Sequence, residues 1–218
     1  MFADLKKLCL GASNIKRNKK LLHQELSNCE FILTYTFEEV KKEIQWIDFK
    51  MFDIIFIHIL TNDISHICWP KRPKYLKSNS EKEEELHAFI HDFNSFIMKL
   101  AANWPNVQFC ISLCLPRFDH RDQLGMLSGR ELVNQNIYNS LHHKNNITLV
   151  WNENFGIRDY VGDFFHLTPT SFLKLMSNWK SAIGKLLYNF SIFSSLCKIP
   201  NLVSFLHNEY LEKCKIYC

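Results

Sequence analysis

Three short segments carry side chains whose types and spacing suit acyl transfer. Gly11-Ala12-Ser13-Asn14 sets a serine two residues past a glycine, where a short apolar run gives way to a polar one. A hydroxyl there stands at the start of a helix, among backbone N–H groups that have no partner within the helix. Thr61-Asn62-Asp63 ends the most apolar run of the chain and supplies a carboxamide. That amide can donate to a developing oxyanion or cap a turn. Asp163-Phe164-Phe165-His166 spaces a carboxylate three residues from an imidazole, close enough to orient the ring, fix its tautomer and stabilise its charged form. Taken singly each is ambiguous, since Ser13 or Asn14 serves equally well as a helix cap.

What must position these residues is an alternation of short apolar runs with longer amphipathic stretches. Leu8 to Leu10, Phe31 to Tyr35, Phe52 to Leu60, Val107 to Leu115 and Ile147 to Trp151 are of strand length and apolar on both faces, as strands of a sheet covered on both sides are. Between them Ile15 to Ser27, Phe37 to Ile47, Glu81 to Asn103, Ser128 to His143 and Thr168 to Tyr188 read as helices. In the third, Leu86, Phe89, Ile90, Phe93, Phe96, Ile97 and Leu100 recur at three- and four-residue steps. Strand then helix, repeated, predicts an α/β fold: a three-layer αβα open parallel sheet of about five strands. Ligands bind such sheets at the carboxyl ends of the strands, where Ser13, Asn62 and the Asp163–His166 pair follow strands one, three and five. His58, inside the third apolar run, reads as a hydrogen-bonded core histidine.

In this order the three segments resemble the SGNH (GDSL-like) hydrolase superfamily, whose sheet is flavodoxin-like. Gly11-Ala12-Ser13 is similar to its Gly-Asp-Ser block, Leu60-Thr61-Asn62-Asp63 to its Gly-x-Asn-Asp block, and Asp163 to His166 to its Asp-x-x-His block. Ile111-Ser112 with Leu115-Pro116-Arg117 resembles the strand before its fourth loop. The likeness implies Ser13 as nucleophile, His166 as general base, Asp163 as its orienter, and the N–H of Ser13 with Asn62 as oxyanion donors. It implies a small ester as substrate and no metal or organic cofactor. Three departures stand out. Ala12 replaces the aspartate beside the serine, Leu60 replaces the third-block glycine and is expected to narrow the approach, and no glycine lies between Gly11 and Gly125 to supply the second-block donor.

A second branch of the resemblance is to catalytically degenerate SGNH-like domains that bind RNA, as the C-terminal domain of the insect germ-plasm protein Oskar does. Two basic groups fit it: Lys16, Arg17, Lys19 and Lys20 on the first helix, and Lys71, Arg72, Lys74 and Lys77 in a Lys/Pro/Ser-rich loop. The whole chain is only mildly basic, with a net charge of +4 over 218 residues. That falls short of a dedicated nucleic-acid binder.

The composition, 47% hydrophobic with 18 Phe, is that of a packed domain. The expected division is an SGNH-like domain over 1–188 and a C-terminal helical extension over 189–218. No run approaches the length of a membrane span, and the N-terminus lacks the apolar core of a signal peptide, so the expectation is a cytoplasmic protein. Its eight cysteines, without C-x-x-C spacing, are expected as reduced thiols rather than a zinc site.

Overall fold

The computed structural model describes residues 4–68, 78–118 and 123–196, with side chains described through 184 except for 123–126. The strands are β1 (Lys7–Gly11), β2 (Cys29–Leu33), β3 (Ile54–His58), β4 (Gln108–Ser112) and β5 (Ile147–Val150). All pair in parallel, in the order β2-β1-β3-β4-β5. Each falls within or beside an apolar run read as a strand. The helices are α1 (Ser13–Arg17), α2 (Lys19–Glu25), α3 (Phe37–Glu43), α4 (Thr61–Cys68), α5 (Asn79–Asn103), α6 (Gln123–Leu141) and α7 (Pro169–Leu196).

Alternate residues of the central strands feed two separate layers, as the pleat requires. Leu8, Leu10, Ile55, Ile57, Phe109 and Ile111 join one buried cluster with Phe37 and Val40 of α3, Ile64 of α4, Phe93 and Ile97 of α5 and Val133 and Ile137 of α6. The intervening residues face the other way. Phe56 stacks on Trp179 of α7 with ring centroids 4.5 Å apart, and Lys180 of α7 reaches Glu25 of α2 at 2.6 Å. The result is a three-layer αβα sandwich.

Three elements depart locally from expectation. The helix expected over 15–27 is broken at Asn18, whose side chain donates to the Asn14 carbonyl at 3.0 Å. The α3 segment tightens into a 3-10 turn at Ile44–Trp46. α4, which carries Asn62 at the expected turn, is a helix of eight residues, too short to show a periodic pattern in the sequence. α7 runs on to Leu196. The chain divides into two compact units, residues 1–180 and 181–218. Among the described residues no helix is long and apolar enough to cross a membrane, and no cluster of His, Cys, Asp or Glu has the arrangement of a metal site. Cys9, Cys29, Cys68, Cys110 and Cys114 are buried free thiols.

Candidate active site

β1 lies between β2 and β3, so the winding of the sheet reverses beside it and opens a crevice past the ends of β1 and β3. The turn after β1 enters this crevice closely. A Cβ on Gly11 would sit 2.6 Å from Ile15 Cγ1, so only glycine lets α1 fold back directly onto its strand. Ala12 is the N-cap residue and gives no side-chain cap. Ser13 therefore opens α1, half-buried, and among the described residues neither its N–H nor its hydroxyl has a hydrogen-bond partner.

Asn14 is not a cap. It is buried, and its Oδ1 accepts the Leu167 N–H at 2.8 Å across 153 residues of sequence. This bond ties the turn that carries Ser13 to the residue immediately after His166. The segment leading to His166 is itself closed by a bridge between Tyr160 and Leu167, with the Val161 N–H on the His166 carbonyl at 2.8 Å. Phe164 sits between the two polar residues at φ 55°. That left-handed conformation is costly for a bulky side chain and persists only where the surroundings impose it. Here the Phe164 N–H donates to Val161 and its carbonyl accepts the Phe118 N–H.

Within the loop, His166 Nδ1 lies 2.6 Å from Asp163 Oδ2, while Asp163 Oδ1 accepts the backbone N–H groups of Phe165 and His166 at 3.0 and 2.8 Å. Burial alone would raise the Asp163 pKa. The His166 N–H, the His166 ring and the Phe165 N–H outweigh it and bring the pKa down to about 2. An ionised Asp163 requires Nδ1 to be the donor, so a neutral His166 ring presents the Nε2 lone pair, the state a general base needs. The His166 side chain is 12% exposed. The Phe165 ring packs against it at 4.2 Å between centroids, and the Arg117 guanidinium lies 3.8 Å over the centre of that ring. Arg17 reaches Asp163 from α1 at 3.6 Å. No hydrogen bond joins His166 Nε2 to Ser13 Oγ.

Asn62 sits in the first turn of α4, and its Nδ2 donates to the Tyr35 carbonyl in the loop after β2 at 3.0 Å. One amide hydrogen is thereby committed and one remains. In the same loop the Tyr35 N–H is taken by Glu39 at 2.7 Å and the Phe37 N–H by Asp63 at 3.0 Å. Leu60, expected to narrow the approach, is 1% exposed and belongs to the core cluster, so its side chain points away from the crevice.

His58 is buried, with Nδ1 2.8 Å from Ser112 Oγ, and burial pushes its pKa down to about 4. Asn152 donates to the same hydroxyl at 3.0 Å, completing a satisfied polar core. Lys16, Lys19 and Lys20 are exposed beside Arg17. Lys71, Arg72, Lys74 and Lys77 lie outside the described residues. Sequence reasoning missed the clamp role of Asn14, whose partner is remote in sequence, and Phe165 as the support of His166.

No family model and no curated protein matches the chain. Solved structures do. An acetylxylan esterase, Axe2 from Geobacillus stearothermophilus, aligns with a TM-score of 0.59 at 12% identity over 84% of this chain and 96% of its own. A lipase from a goat rumen metagenome aligns with a TM-score of 0.61 at 12% identity over 82% and 97%. LAE5, an α/β hydrolase from a Lake Arreo metagenome, aligns with a TM-score of 0.55 at 13% identity over 85% and 98%. At such identities the likeness is one of fold, and the fold of this chain is SGNH-like.

Proposed function

We propose that the chain is a serine ester hydrolase that cleaves acyl or acetyl esters through Ser13, His166 and Asp163. The observation that carries this reading is the Asn14–Leu167 bond, which ties the serine turn to the residue after the carboxylate-bonded histidine at one end of the sheet. In the proposed mechanism Ser13 Oγ attacks the acyl carbonyl while His166 Nε2 takes its proton. The free N–H of Ser13 and the uncommitted amide hydrogen of Asn62 stabilise the oxyanion. His166 returns the proton to the departing alcohol, and water activated by the same ring releases the acid. The reading is supported by the fold neighbours, which include esterases and a lipase. Purified protein should hydrolyse short p-nitrophenyl esters, and Ser13→Ala and His166→Ala should abolish it. Wild-type inactivity across acetyl, butyryl and octanoyl esters would overturn the reading.

A second reading, RNA binding, is favoured by the exposure of Lys16, Lys19 and Lys20 beside Arg17. Phosphate contacts of this kind give salt-dependent affinity. Reversing these lysines to glutamate should eliminate binding to single-stranded RNA, with Ser13→Ala neutral. Affinity insensitive to salt and to the reversals would remove it.

A further inference from the structure

We propose that a cavity between α6 and the segment following β5 is a binding site for a neutral oligosaccharide. The cavity has a volume of about 510 Å³, within the range of small-molecule sites. Its lining includes Arg130, Glu131, Asn134 and Gln135 of α6, with Trp151 and Glu153 just past β5. None of Ser13, Asn62, Asp163 or His166 contributes to it.

Arg130 is the residue that calls for a ligand. Its Nε is buried without a hydrogen-bond acceptor, and its guanidinium forms no ion pair among the described residues. Buried polar groups in native proteins are almost always partnered, so this orphaned Nε, carried by a side chain that also lines the cavity, is an unmet requirement. Asn134 adds to it: its Oδ1 is spent on the Cys114 N–H at 2.9 Å, and no acceptor is described for its Nδ2. Gln135 likewise gives its Nε2 to Asn139 at 2.9 Å, leaving its carbonyl oxygen as an acceptor.

The character of the ligand follows from the balance of the lining. Arg130 supplies one positive charge, while Glu131 and Glu153 supply two negative ones, so an anion drawn to Arg130 would meet both carboxylates. A cation would meet Arg130, and no metal-binding cluster exists among the described residues. A neutral polyhydroxylated molecule satisfies both sides, since each hydroxyl accepts from the guanidinium or the amide and donates to a carboxylate. Trp151 completes the match. It is half-buried and held by Tyr138 at 5.4 Å between centroids, which fixes a large apolar ring at the cavity wall for the C–H face of a pyranose.

The test is calorimetric titration of the full chain with maltotriose, cellotriose, xylotriose and triacetylchitotriose. Saturable binding of at least one sugar is expected, weakened at least tenfold in Arg130→Gln and Trp151→Ala and unchanged in Ser13→Ala. Trp151→Phe, which keeps an aromatic core contact, should fold as the wild type and bind more weakly than it. Because the readout is binding, it is independent of whether the chain hydrolyses esters. The proposal is overturned if no sugar saturates up to tens of millimolar, if binding survives both substitutions, or if acetate or phosphate binds there in place of the sugars.

Discussion

The loop from Tyr160 to Leu167 and the turn that carries Asn62 treat their polar groups in opposite ways. In the first, both carboxylate oxygens of Asp163 are engaged and the His166 ring is fixed at one nitrogen, leaving the other for chemistry. In the second, the donors are consumed internally: Asn62 Nδ2 serves Tyr35, the Tyr35 N–H serves Glu39, and the Phe37 N–H serves Asp63. On the proposed ester-hydrolase reading, the contrast teaches that the base side of the site is preorganised, while the oxyanion side offers one backbone N–H and half of one carboxamide. Catalysis by this chain should therefore lean on Ser13 and His166 more heavily than on Asn62.

The largest expected effect tests the first half of that contrast. Ser13→Ala or His166→Ala should lower kcat/KM on p-nitrophenyl acetate by about a thousandfold or more, and the double variant should lose little beyond either single one, because the two act as a unit. Additive losses would break the pairing. Asn62→Ala should lower kcat by about a hundredfold with KM little changed if its second amide hydrogen serves the oxyanion. A change confined to thermal stability would assign Asn62 wholly to the Tyr35 contact.

Asp63, the neighbour of Asn62, sharpens the second half. Burial, reinforced by the charges of Glu38 and Glu39, raises its pKa to about 7 against hydrogen bonds from the N–H groups of Phe37 and Asp63 itself. Between about pH 4 and about pH 7 the unfolded chain has lost a proton that the folded chain keeps, so this group's contribution to stability falls as pH rises through that window. Asp63→Asn should gain stability relative to wild type, by on the order of 2 kcal/mol, as pH rises from about 4 to about 8. Urea midpoints across that range read it, and a pH-independent difference would contradict the shift. Smallest of all, Arg17→Gln removes an exposed ion pair to Asp163 and should change stability by less than about 1 kcal/mol. Circular-dichroism melts would show it, and a larger loss would mean that Arg17 helps hold the loop.

The strands were legible because a buried parallel strand is apolar on both faces, and Phe52 to Leu60 leaves little choice. The Asp163 and His166 spacing was legible for a different reason: three residues suffice for the contact, so local sequence encodes it. What escaped was non-local or short. α4 spans too few residues to show a period, the break at Asn18 depends on a side chain turning back on its own helix, and the Asn14 clamp joins residues that only the fold brings together. Leu60 misled because a departure from a glycine pattern says nothing about which way the new side chain points; the core took it.

The most direct measurement is labelling with a fluorophosphonate, which reacts with a serine only when a base activates it. Mass spectrometry of intact protein and of its peptides at about pH 8 should show one adduct per chain, on Ser13, absent from His166→Ala and reduced in Asp163→Asn. An unlabelled wild-type chain, or a label equally strong in His166→Ala, would contradict the claim that Asn14 and Leu167 bring a working serine and histidine together.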